Sequence, residues 1–336
     1  MDEDGCLFIS DNRRLQVLQF DPEGVYLRNY GREGRGPGEF QSVDILSVIG
    51  DTLTIYDIAQ GRTTRFRTSG ELIDVISVPA TMPRGYAPTA VERFHPLSGG
   101  PRLAIERSLQ RSTHYRFRAT ILSADLDTLW SADTPLLRTF QRTEAQPGYS
   151  ARILGIIYGP LPAVVYHPGM GTIISPGDRP ELLVYSDKGG LLRRIRVMIE
   201  PQPVTAAEQR RYAASLDQRI AEAEGPAVVS LQQEREGLVF AEFKPAWTSM
   251  LVDDEGFIWL TVPETRQERS DSGGTLHRVL SAEGRYIGDT RWPTALANAR
   301  VSRGYLLVVE SDAGTDEPLP TVYRIEPVVS GLRYPR

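Results

Sequence analysis

One cysteine, two lysines and no long apolar run: each shortage in this chain excludes something. Cys6 alone can form neither an internal disulfide nor a cysteine-rich zinc site. It lies in the apolar run "CLFIS", where it reads as a small packed hydrophobe. No stretch reaches the roughly 18 consecutive apolar residues of a membrane-spanning helix. The opening "MDEDG" is acidic and turn-like, without the basic and apolar segments of a signal peptide. Lys188 and Lys244 are the only lysines, so arginine carries almost all the positive charge. We read that as a composition bias that also suits cross-strand pairing with carboxylates. The net charge of −5 gives no electrostatic reason to expect nucleic acid as a partner.

What is present is ordinary in bulk and repetitive in detail. A chain of 336 residues with 40% hydrophobic content can bury a core. Length alone suggests about two domains, but an array of repeats overrides that prior. Four stretches share one pattern: "FDPEGVYLRNYG" (20–31), "FRTSGELIDVIS" (66–77), "YSDKGGLLRRIRV" (185–197) and "LSAEGRYIGDTRW" (280–292). In each, a strand ends on a large apolar residue, a short polar turn reaches a glycine, and a second strand leaves. Gly24, Gly70, Gly189 and Gly284 supply the positive φ of a tight hairpin. A fifth copy, "LSADLDTLW" (122–130), lacks the glycine, and Asp125 is expected to take its place. Acidic glycine turns, "DEDG" and "DDEG", open other strands, and "GDTLTIYD", "GMGTIISP" and "SRGYLLVVE" are variants of these. The unit is therefore four antiparallel strands, recurring at a spacing of about 46 residues or more.

Such a sheet buries its faces only by packing on its neighbours, which predicts an all-β, six-bladed β-propeller spanning 1–336 as a single domain. The gap between Gly189 and Gly284 is filled by a helical insertion over 205–236, between the fourth and fifth blades. There Thr205 and Glu208 form a capping box. Ala207, Tyr212, Leu216 and Ile220 fall near helical spacing, and Gly225–Pro226 ends the helix.

"GREGRGPGEF" (31–40) is glycine-rich enough to suggest a phosphate loop. It has neither the lysine nor the hydroxyl such a loop needs, and the strands of "QSVDILSVIGDTLTIYD" follow it instead of a helix. It reads as a link between two blades, with Phe40 plugging between them.

Residues 2–40 resemble an NHL repeat, matching at Asp11, Asn12, Arg13, Phe20, Gly24, Gly31, Gly36, Pro37, Gly38, Glu39 and Phe40. "LVDDEGFIWL" (251–260) is similar to the second strand of the same pattern. The resemblance is strong over about forty residues and architectural beyond residue 79. The whole is most similar to six-bladed NHL-like propellers of bacterial secreted proteins and lipoproteins. That resemblance implies a periplasmic or extracellular location. The middle blades lack the "GPGEF" link. The first unit starts at its second strand and the last has little room for its fourth. Both ends lead us to expect that the natural protein begins upstream of Met1, with the missing strand and an exported leader there.

No local constellation marks a reaction. His95, His114, His167 and His277 share no metal-ligand spacing and read as surface residues. "SDSGG" (270–274) has the letters of a trypsin-like nucleophile loop, but nothing indicates the two barrels that chemistry needs; it reads as a polar loop. The acidic glycine turns miss the calcium-loop pattern. Asp11 with Arg13 and Asp57 with Arg62 recur at matching places in the first two blades. Arg13, Asp57 and Arg62 are thus the candidate binding residues, against a structural reading in which Asp caps a turn and Arg bridges strands. Trp130, Trp247, Trp259 and Trp292 read as packing between blades. The expected function is a non-catalytic scaffold that binds a protein or glycan partner through its face loops, with no cofactor. The alternative is a metal-dependent lyase or hydrolase with calcium or zinc in the central channel, since NHL-like propellers include an amidating lyase.

Overall fold

A computed structural model describes residues 1–2, 4–77, 90–96, 102–110, 113–123, 128–142, 153–264, 266–292, 299–311, 318–327 and 334. The fold is an all-β propeller of five to six blades with two short helices joined into one insertion. Two compact units divide the chain, 1–107 with 119–131 and 108–118 with 132–336.

The first sheet holds β1 (Leu7–Asp11), β2 (Gln16–Phe20) and β3 (Tyr26–Tyr30) in chain order. A two-residue parallel ladder, β4 (Arg32–Glu33) with β5 (Glu39–Phe40), leads to a four-stranded sheet. That sheet is β6 (Ile45–Ile49), β7 (Thr52–Asp57), β8 (Arg62–Arg67) and β9 (Leu72–Ser77). Next come β10 (Ala90–Pro96), β11 (Arg102–Gln110), β12 (His114–Leu122) and β13 (Thr128–Asp133), with β14 (Leu137–Arg138) on β12. A short pair follows, β15 (Phe140–Arg142) and β16 (Ile153–Gly155). The next two full sheets are β17 (Ala163–His167), β18 (Gly171–Ser175), β19 (Glu181–Tyr185), β20 (Leu191–Arg196), and β21 (Ser249–Val252), β22 (Ile258–Thr261), β23 (Thr275–Leu280), β24 (Tyr286–Trp292). The final sheet has three strands, β25 (Ala299–Ser302), β26 (Tyr305–Ser311) and β27 (Pro318–Arg324).

The repeat read from the glycines is a repeat of hydrogen bonds. In the β2–β3 hairpin, the Gly24 N–H donates to Asp21 O and the Asp21 N–H to Val25 O, at 3.0 and 2.9 Å. The same two bonds recur around Gly70, Gly189 and Gly284, whose φ values are +104°, +82° and +87°. A register shift falls just before each turn, at Gln19/Phe20, Arg65/Phe66, Val184/Tyr185 and Val279/Leu280. The extra residue twists the outer strand away, a use to which bulges are often put. Asp125 lies outside the described residues, although β12 and β13 flank it. The acidic turns use identical geometry: Asp253 Oδ1 accepts from the Glu255 and Phe257 N–H groups, and Asp2 Oδ1 from Asp4 and Cys6.

Packing follows the pattern. Val17, Tyr30, Phe40, Val43, Leu53, Ile55 and Phe66 form one fully or nearly buried cluster between the first two sheets. Phe40 is the plug, and its ring fits because Gly31 has no side chain: a Cβ there would stand 2.0 Å from the ring. Trp247 packs with Ile173, Leu182, Val184 and Ile258 and donates its indole N–H to Ser175 Oγ at 3.0 Å. Trp259 and Trp292 stack with centroids 4.7 Å apart in a third cluster. Trp130 is half-buried.

The insertion comprises α1 (Ala206–Glu222) and α2 (Pro226–Glu236), between β20 and β21. The Thr205–Glu208 capping box is present at the start of α1. One detail differs from the sequence reading. Ala207 is exposed, and the inward stripe is Glu208, Tyr212, Leu216 and Ile220, a run of i+4 steps that starts on the capping glutamate. α1 ends just before Gly225–Pro226, as its sequence has it; Gly225 then caps α2 and Pro226 takes its first position, where its missing N–H costs nothing. A single turn of helix, α3 (Arg266–Asp271), precedes the "SGG" of the "SDSGG" stretch.

Candidate functional site

The blade-to-blade links decide where a cleft can exist. After the first sheet the link is 31–44, and it lies closed on its neighbours. Arg62, the first residue of β8, donates from Nη1 to Arg35 O at 2.9 Å and from Nη2 to Gly36 O at 2.7 Å and to Glu39 O. The Gln60 amide donates to Gly34 O at 3.3 Å and to Glu39 O at 3.2 Å. The link's own N–H groups are engaged as well: Gly34 to Phe40 O, Glu39 to Gly36 O, and Gly36 to Glu39 Oε2. A phosphate cradle needs N–H groups turned outward, whereas this loop turns carbonyls toward a guanidinium.

Asp57 is fully buried beneath that loop and accepts from the Gln41 and Gln60 N–H groups and the Ser42 hydroxyl at 2.8–2.9 Å. Burial opposes its charge, but these donors outweigh it and hold the carboxyl below its ordinary range. Asp57 and Arg62 are cross-strand partners in the β7–β8 register. In the first sheet the corresponding pair is Asp11 and Gln16. Arg13 is therefore not the counterpart of Arg62: it sits exposed within the turn, where its N–H donates to Asp11 Oδ1. Of the three residues singled out by sequence, the fold brings Asp57 and Arg62 together and leaves Arg13 apart.

After β20 the link is instead the helical hairpin, and beside it opens a cleft of about 550 Å³. Five prolines, Pro160, Pro180, Pro201, Pro245 and Pro263, stand in its walls with Tyr158 and Phe243. Each proline marks a point where a strand or link turns over the sheet end, which is where a residue lacking an N–H fits. Gly177 helps to shape one wall: with φ +85°, a Cβ there would meet Pro162 N at 2.5 Å. Lys244, Arg179 and Arg278 bring cations to the lining, and Asp178 and Glu200 bring carboxylates.

Those charges are mostly committed. Lys244 Nζ lies 2.6 Å from Glu208 Oε1, and both side chains are almost wholly buried. Burial disfavours the Glu208 carboxylate, but Lys244 and the Thr205 N–H and hydroxyl hold it below its usual range. Lys244 Nζ also stands 5.9 Å from the Tyr158 ring centroid. Tyr158 has φ +59°, an uncommon value for an aromatic residue, and burial with the Glu208 charge pushes its hydroxyl upward. Arg278 makes two 3.0 Å bonds to Asp289. Arg179 is about half exposed and stands 3.4 Å from Glu181, which also binds Arg194. The arrangement is a fixed apolar trough with neutralised charges at its base and a half-free guanidinium at its edge.

The sequence reading missed this cleft. Its signal was the prolines in "YGPLP", "SPGDRP", "EPQPV", "FKPAW" and "TVPET", together with one of only two lysines in an arginine-rich chain. His277, read as a surface residue, is fully buried, with Nδ1 3.2 Å from Thr261 Oγ1 and its ring against Trp292. β23 alternates its faces, and His277 falls on the inward one. The His95 side chain lies outside the described residues. Among the described residues, no three acidic, histidine or cysteine side chains converge as a metal site, and no helix is long and apolar enough to cross a membrane.

A family model described as a 6-bladed beta-propeller, DUF5128, matches residues 1–89. No curated protein matches the sequence. Among solved structures the chain is similar to a DUF4221 family member from Bacteroides vulgatus, at 13% identity and TM-score 0.49, covering 96% of this chain and 93% of that one. It is similar to a Bacteroides fragilis NCTC 9343 protein assigned as exported, at 12% identity and TM-score 0.49, covering 91% and 77%. Virginiamycin B lyase from Staphylococcus aureus matches at 8% identity and TM-score 0.38, covering 96% and 82%.

Proposed function

We propose that the protein is a non-catalytic binding propeller that holds a segment of a protein or glycan partner in the cleft beside its helical hairpin. The observation that carries this reading is the composition of the cleft: rigid proline and aromatic walls above ion pairs that are already satisfied. A ligand entering such a trough loses little to reorganisation of the walls, because prolines have few states to give up. Phe243 and Tyr158 offer ring faces to an apolar side chain or a sugar ring. Arg179, half exposed beside Asp178 and Glu181, and Glu200 are the lining charges placed to meet a polar or charged substituent. Lys244 serves as a structural cation in this reading, its Nζ committed to Glu208 at 2.6 Å. The NHL-like first blade supports a periplasmic or extracellular location, which fractionation of cells expressing the natural gene would check.

Glycan arrays and a displayed peptide library, probed with the full chain, test the reading. A ligand should emerge whose affinity falls at least about tenfold in Phe243→Ala and in Arg179→Glu, with the melting temperature unchanged. Binding indifferent to both substitutions would remove the cleft as the site. Chemical turnover of the bound glycan or peptide would remove the non-catalytic reading.

A further inference from the structure

A second concavity, sharing no lining residue with the cleft, lies between the outer part of the β21–β24 sheet and the segment after β27. Its volume is about 120 Å³. Phe257, Trp259, Trp292 and Tyr334 line it, and these rings touch one another: Phe257 and Tyr334 meet edge to face at 5.4 Å, and Trp259 lies 4.7 Å from Trp292 and 6.4 Å from Tyr334. The described lining includes two carboxylates, Asp289 and Glu326, and no lysine, arginine or histidine.

Hydrogen bonding makes two of these rings electron-rich. The Trp259 indole N–H and the Tyr334 hydroxyl both donate to Asp253 Oδ2, at 2.8 and 2.9 Å. Asp253 Oδ1 accepts two backbone N–H groups; burial pushes this carboxyl upward, while the Trp259, Phe257 and Tyr334 donors favour its charged form. Donation to an anion pushes electron density onto a ring and deepens the negative potential over its face. Aromatic faces with nearby carboxylates attract a positive, weakly hydrated group, and the described lining itself holds no lysine, arginine or histidine. Cavities of ~150 Å³ hold a benzene-sized molecule, and a trimethylammonium head is of about the same bulk.

We propose that this aromatic pocket is a binding site for a small quaternary ammonium group, of the kind carried by choline-type head groups and methylated amines. Asp289 is already paired with Arg278 and Glu326 stands 3.7 Å from Arg324, so the ring faces carry most of the attraction and Glu326 adjusts it.

The probe is choline, titrated into the full chain and followed by tryptophan fluorescence and calorimetry. Its uncharged isostere, 3,3-dimethylbutan-1-ol, is run in parallel. Choline should bind saturably, and the isostere at least about tenfold more weakly, because only the cation gains from the ring faces. Thr290→Arg, which sets a guanidinium in the wall, should abolish choline binding. Glu326→Gln, at an exposed position, should fold normally and weaken binding about two- to fivefold. The proposal is overturned if choline gives no saturable signal at millimolar concentration. It is equally overturned if the isostere binds as tightly, or if folded Thr290→Arg and Glu326→Gln both bind choline like the parent.

Discussion

Arg62 lays its guanidinium across the carbonyls of Arg35, Gly36 and Glu39, while Arg13 extends from a turn into solvent. The two arginines look alike in sequence and differ in what depends on them. Replacing Arg62 by methionine keeps the aliphatic stem but strands three loop carbonyls, and Gln60 can serve only some of them. We expect Arg62→Met to cost about 2–4 kcal/mol and Arg13→Ala to stay within about 0.5 kcal/mol, read by urea unfolding. Equal effects would mean that the loop is not held by Arg62. Asp57 works with it from beneath, its charge stabilised by four donors, the Gln60 side-chain amide among them, so a turn-capping role accounts for its burial.

At the scale of the element, the helical hairpin is fastened by one buried pair and a little backbone lacing. The Ile157 and Ala241 N–H groups donate to Val239 O and Ile157 O, and Val204 bonds Glu242 O. Glu208 does two jobs, capping α1 and neutralising Lys244. Glutamine at 208 retains the capping box but leaves the Lys244 ammonium unpaired, at a cost of about 3 kcal/mol near pH 7. The pH dependence has a definite sign. The folded pKa of Glu208 lies below its ordinary value of 4.5, so its contribution is full above about pH 4.5 and is lost as pH falls through the folded pKa. The gap in melting temperature between the parent and Glu208→Gln should therefore narrow steadily on acidification below pH 4.5. A gap unchanged down to pH 3, with both proteins still folded, would contradict the ion pair as its source.

At the scale of the whole molecule, each blade is a nearly self-similar sheet, and stability comes from apolar clusters formed where sheets meet. We propose that no metal takes part in that stability or in partner binding. A chelator should then leave both the melting temperature and the affinity for an array-derived ligand unchanged. A downward shift in melting temperature that added calcium or zinc reverses would restore the metal-dependent alternative.

The repeat was legible from sequence because it is local chemistry. A glycine at positive φ, the residue before the bulge and the alternating strand that follows are fixed within a dozen residues, so Gly24, Gly70, Gly189 and Gly284 announced their hairpins. The capping box at Thr205 and Glu208 was legible for the same reason. What failed was whatever depends on register or on distant neighbours. Arg13 and Arg62 follow similar aspartates, but cross-strand pairing assigns Arg62 to the place of Gln16. His277 is polar by type and buried by the face on which its strand presents it. The proline-walled cleft joins residues from Tyr158 to Arg278, and the aromatic pocket joins Phe257 to Tyr334. Local sequence sets backbone conformation through short-range sterics and hydrogen bonds. A cavity is the space left between segments far apart in the chain, and only their packing decides its shape.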